Sequence, residues 1–133
     1  MQYNGGEELK AYPQVVDLGN VDHPTSRFLH TTGILSHLDL VVACDSSVGH
    51  LAGAVGTPTF LMLPFAYDPR WGARRFTTKW YPGTTLFQCK APGAKHVVRS
   101  QRAGLDEDPW PEVVEEVRAT LEAVRDNRSL LRG

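Results

Sequence analysis

Asp45-Ser46-Ser47-Val48-Gly49-His50-Leu51-Ala52-Gly53-Ala54-Val55-Gly56-Thr57-Pro58 lies between two strand-like runs, Leu38-Asp39-Leu40-Val41-Val42-Ala43-Cys44 before it and Thr59-Phe60-Leu61-Met62-Leu63 after it. Ser46 and Ser47 are good N-cap residues. Gly56 suits a helix C-terminus, and Pro58 stops the helix from continuing. The stretch therefore predicts a short helix between two buried strands. The N–H groups of a first helical turn have no partner inside the helix, and the macrodipole adds partial positive charge there. Asp45 falls where the first strand ends, and His50, one turn on, can aim an imidazole N–H at the same place. An anion is stabilised at such an end. The same turn also occurs in sheets that bind nothing.

Working outward, Glu7 to Tyr12 suits a short helix ended by Pro13, and Val15 to Leu18 a brief strand closing at Gly19-Asn20. Ile34, Leu35 and Leu38 have helical spacing in a segment starting at Thr25 or Thr31. Thr84 to Cys89 reads as a further strand after a long connection, Pro64 to Gly83, rich in aromatics and Arg. The last helix has Asp108 as N-cap and Pro109 and Pro111 in its first turn. Val114, Val117, Leu121 and Val124 mark its apolar face. The order is β, α, β, α, β, with unbroken apolar strands of the kind found in parallel sheets covered on both faces.

Length and composition set wider bounds. The 133 residues make one domain over 1–133, which buries about two-thirds of the surface its unfolded chain exposes. The chain is 41% hydrophobic and 22% charged, with net charge −1 and no basic run, so nucleic acid is not expected as a partner. With no leader-like start and no span-length apolar window, a cytoplasmic protein without a membrane span is expected. Cys44 and Cys89 form no CxxC pair. Free thiols are expected of them. His23, His30 and His37, seven apart, lack the spacing of helical metal ligands, and Asp106-Glu107-Asp108 sits where an N-cap needs acidic residues; no metal site is expected.

Several ordered matches give the chain a family likeness. Asp45 to Pro58 resembles the Asp-(Ser/Thr)-x-x-x-His-Leu-Ala-(Gly/Ala)-Ala-x-Gly-x-Pro signature in the C-terminal domain of family 9 glycosyltransferases, the heptosyltransferase group. It is more similar still to related bacterial proteins in which such a domain follows tetratricopeptide repeats, the O-linked N-acetylglucosamine transferase-like proteins. The likeness continues through Met62-Leu63-Pro64-Phe65, Pro69-Arg70-Trp71, Trp80-Tyr81-Pro82 and Leu86-Phe87-Gln88, and spans roughly residues 7 to 125.

The resemblance implies an α/β, Rossmann-like three-layer sandwich with a mainly parallel sheet, equivalent to most of a GT-B C-terminal domain. It implies a nucleotide-sugar donor as substrate, without cofactor or metal. Its diphosphate would be contacted at Ser46, Ser47, Val48, Gly49 and His50. By their own chemistry and place, Asp45 at the end of the strand and Arg70, whose guanidinium pairs well with phosphate, join that candidate site. Trp71, Trp80 and Tyr81, with Arg70, Arg74, Arg75 and Lys79, would form either a wall for that donor or an aromatic plug over the end of the sheet. A complete GT-B enzyme has two facing domains, and the catalytic base sits on the other one. The chain therefore reads as truncated, glycosyltransferase-like and not active alone, its open sheet edge needing an N-terminal domain or a second copy. The alternative is a non-catalytic interaction or regulatory module that self-associates through that edge.

Overall fold

The computed structural model describes residues 6–72, 76–90 and 110–126. Its elements run α1 (Gly6–Leu9), α2 (Leu29–Leu35), β1 (Val41–Cys44), α3 (Ser47–Ala54), β2 (Thr59–Leu63), a 3-10 turn (Pro69–Trp71), β3 (Thr84–Gln88) and α4 (Trp110–Asp126). The three strands form one parallel sheet in the order β1-β2-β3, with Val41 opposite Thr59 and Thr59 opposite Thr84. This is the α/β, Rossmann-like arrangement expected.

Alternation along the strands builds two separate cores. Phe60 and Phe87, with Cys89 just past β3, point to one face and bury Val113 and Val117 of α4, with Leu40, Met62, Leu121 and Val124 packed around them. Leu61, Leu63 and Leu86 point to the other face, where Trp71 covers them, and Leu35, Val41 and Ala52 join α2 and α3 to the same side. The sheet is thus the middle of three layers.

Local chemistry sets the ends of α3. Ser46 is extended at the N-cap, and its backbone carbonyl accepts from the N–H of His50 at 3.2 Å. At the other end Gly56 turns left-handed, with φ 81°. Gly56 N–H reaches the Gly53 carbonyl at 3.2 Å and Thr57 N–H the Ala52 carbonyl at 3.0 Å, the paired bonds of a Schellman cap. The Thr57 hydroxyl then donates to the Leu35 carbonyl at 2.7 Å, tying α2 to the start of β2. The start of α2 depends on a distant residue: Phe28 holds the cap position at φ 63°, while Asp22 accepts from the N–H groups of His30 and Thr31, each at 3.1 Å. The Thr31 hydroxyl also donates to Asp22 and lowers its carboxyl below the ordinary value.

Several expectations are corrected. Residues 15–18 form no strand: Val15 closes a turn onto the Tyr12 carbonyl, and Asp17 accepts from the N–H of Gly19. A strand needs a neighbour to pair with, and here local turn bonds prevail over β propensity. The first helix stops at Leu9 rather than Tyr12, and the second covers only Leu29–Leu35. In α4 it is Val113 that is buried, whereas Val114 is exposed. The expected Asp108 cap lies outside the described residues.

The two edges of the sheet differ. Beyond β3, Phe76 accepts from the N–H of Leu86 at 2.8 Å and Thr77 bridges Thr85, so that edge is covered. At β1, Val41 N–H bonds Pro58 across to β2, and by the alternation of a parallel ladder Val42 and Cys44 direct their backbone groups outward. Among the described residues no strand pairs with that side. Both cysteines are thiols, Cys44 exposed at the end of β1 and Cys89 buried beyond β3.

Candidate functional site

The C-terminal ends of parallel strands are where open α/β sheets place ligands, and α3 starts there directly after β1. Its first turn is anchored from below. The half-buried Val48 side chain packs against the cluster of Leu35, Val41 and Ala52. Gly49 is buried, and a Cβ there would lie 2.6 Å from Leu61 Cδ1 and 3.3 Å from the Cys44 carbonyl. Only hydrogen allows the helix to approach the sheet this closely. Ala52, fully buried, continues the contact, while Gly53 faces Tyr81 and Ala54 is exposed.

Ser46 holds the N-cap position, but its hydroxyl makes no capping bond. Among the described residues the N–H groups of Ser47, Val48 and Gly49 meet no acceptor. Asp45, Ser46 and Ser47 are exposed around them. These are the open donors that an anion at a helix start uses.

His50 stands one turn along and is fixed on two sides. Its ring stacks on Trp71 with centroids 4.7 Å apart and planes at 24°. Its Nδ1 lies 3.1 Å from the Tyr81 hydroxyl, with the two rings edge to face. Trp71 is 1% exposed and its indole N–H has no acceptor among the described residues, so it offers His50 a ring face and no hydrogen bond. Nε2 of His50 makes no hydrogen bond among the described residues.

Arg70 lies beside this cluster, already engaged. Its guanidinium donates to Asp68 at 2.7 Å, and its backbone N–H donates to the same carboxylate at 2.9 Å. Asp68 thereby caps the 3-10 turn that presents Trp71. The Arg70 side-chain bond, seconded by its backbone N–H, holds the Asp68 carboxyl down at about 2. Asp68 in turn raises Arg70 above its ordinary value, and the negative charge of Asp45 acts in the same direction. Asp68 thus pairs the Arg70 guanidinium directly, and among the described residues the start of α3 supplies open donors that no carboxylate engages.

The aromatic connection divides its roles. Trp71 plugs the sheet face, Tyr81 half-buries against α3, and Trp80 is 67% exposed with its indole N–H donating to the Arg70 carbonyl at 3.0 Å. Lys79 is exposed, and Arg74 and Arg75 lie outside the described residues. Sequence reasoning missed Asp68 and the pairing of Tyr81 with His50. An Asp-Pro step at 68–69 is a cap signal that points to the first; nothing local points to the second, which spans 31 residues. His23, His30 and His37 are exposed, and no His, Cys, Asp or Glu cluster among the described residues forms a metal site. Asp106 to Asp108 lie outside them. No helix among the described residues is long and apolar enough to cross a membrane. No protein-family model, curated protein or solved structure matches this chain.

Proposed function

We propose that the chain binds the diphosphate of a nucleotide-sugar donor at the start of α3, as a glycosyltransferase-like domain whose catalytic base belongs to another domain. One observation carries the reading: among the described residues the N–H groups of Ser47, Val48 and Gly49 meet no acceptor, and Nε2 of His50, the next residue of the same turn, makes no hydrogen bond. Oriented dipoles of this kind stabilise a leaving diphosphate without a metal. Asp45 and Asp68 oppose the anion, and the donor's remaining surface stays in water, so affinity is low. Titration with UDP, ADP and GDP in the presence of EDTA is expected to shift the amide signals of residues 46–50. His50→Ala should weaken binding roughly tenfold, the worth of one charge-assisted hydrogen bond of about 1.5 kcal/mol. Shifts that avoid this segment for all three nucleotides, or a strict need for Mg²⁺, would overturn the assignment.

A second reading, an interaction module, is favoured by the bare edge of β1. Antiparallel pairing of this edge with the same edge of a second copy satisfies the outward groups of Val42 and Cys44 and covers Val42, whose side chain is 44% exposed. Sedimentation across a concentration series is expected to give a monomer–dimer equilibrium that Val42→Lys shifts to monomer. A monomer at every concentration removes this reading and leaves the first untouched.

A further inference from the structure

We infer that Tyr81 is a positioning residue that selects the His50 tautomer carrying its proton on Nε2. This inference deepens the diphosphate reading and rests on it. An imidazole beside an anion is useful only when the nitrogen facing the anion is a donor. Of the two neutral forms, one has a lone pair on Nδ1 and N–H on Nε2, and the other reverses them. A phenol O–H is a better donor than acceptor, because its oxygen lone pair is delocalised into the ring, so the Tyr81 hydroxyl, 3.1 Å from Nδ1, favours the first form and leaves Nε2–H for the ligand. Were Nδ1 the donor, Nε2 would turn a lone pair toward the anion.

The hydroxyl can do this because the Tyr81 ring is held on the far side of the bond. A Cβ at Gly53 would fall 2.5 Å from Tyr81 Cγ, 2.8 Å from Cδ2 and 2.9 Å from Cβ, so the ring lies directly on the helix backbone at that glycine. The Tyr81 carbonyl accepts from the N–H of Thr84 at 2.9 Å, which fixes its backbone to the first residue of β3. Trp71 stacks on the imidazole and offers it no hydrogen bond, so the ring's tilt is set by Trp71 and its protonation by Tyr81. The position of the proton on a residue of α3 is thus decided from the β2–β3 connection.

The test is the imidazole ¹⁵N spectrum of His50 above the histidine titration range, at about pH 8.5, in the wild-type chain and in Tyr81→Phe. The wild type is expected to show a proton on Nε2 and an acceptor shift at Nδ1. In Tyr81→Phe the Nδ1 signal should move toward that of an unbonded imidazole, with the amide signals of Leu35 and Val41, in the layer that holds α3, unchanged as a check on folding. Inorganic pyrophosphate is the binding probe. Tyr81→Phe should weaken it about three- to tenfold, one net hydrogen bond's worth, and should have no further effect in a His50→Ala background. A wild-type Nδ1–H tautomer, or nitrogen shifts indifferent to Tyr81→Phe, overturns the inference. If wild type binds no pyrophosphate, the diphosphate reading fails on its own, and the ¹⁵N shifts still decide what Tyr81 does to His50.

Discussion

Trp71→Ala is expected to cost about 3–5 kcal/mol of stability, a large part of the whole for a domain of this size. Trp71 is 1% exposed and closes the layer over Leu61, Leu63 and Leu86, so its removal leaves a cavity against them. The same change takes away the surface on which His50 stacks. Trp71→Phe separates the two contributions. It keeps a ring in the layer and removes an indole N–H that is buried with no acceptor among the described residues, a group whose burial costs about 1–3 kcal/mol when unpaired. The phenylalanine variant is therefore expected to lose less than half of what the alanine variant loses. Urea unfolding followed by circular dichroism measures both. Equal losses in the two variants, or none in Trp71→Ala, would contradict this account of the layer.

The second large effect concerns Leu61 and Gly49, whose atoms compete for one space. Leu61 is fully buried at the centre of β2, and Leu61→Ala should cost about 2–5 kcal/mol. Gly49→Ala adds a methyl 2.6 Å from Leu61 Cδ1, an overpacking of about 1–3 kcal/mol, offset in part by the roughly 1 kcal/mol that alanine gains over glycine in a helix. In the double variant the shortened side chain at 61 makes room for the new methyl. The combined loss should then fall short of the sum by about 1 kcal/mol or more, as contacting residues couple. Additive losses would mean that the Cys44 carbonyl, 3.3 Å from the same Cβ, sets the penalty instead.

What could be read in the sequence follows the range over which each signal acts. The strand–helix–strand unit from β1 to β2 was legible because its signals are adjacent residues: Ser46 at the cap, Gly56 in the left-handed turn, Pro58 beyond it and apolar runs on either side. Val15 to Leu18 has the same apolar character, but no strand among the described residues pairs with it. Val113 and Val114 both fit a stripe with Val117, Leu121 and Val124, and only contact with Phe60 and Phe87 decides between them. At the site, the residues from Asp45 to His50 could be found from the turn. The neutralisation of Arg70 by Asp68 and the contacts of His50 with Trp71 and Tyr81 arise only when the β2–β3 connection folds back over α3.

The alternation that sends Phe60 and Phe87 to one face and Leu61, Leu63 and Leu86 to the other has a dynamic consequence. Among the described residues the layer holding α4 and the layer holding α3 meet only across the sheet. Detachment of α4 would expose Val113, Val117 and their partners while leaving the His50 stack and the start of α3 in place. Such a partial opening has a lower free energy than global unfolding. The two layers are therefore expected to open as separate units, with slower amide exchange on the strands than on α4; equal exchange on both would mean that they unfold together.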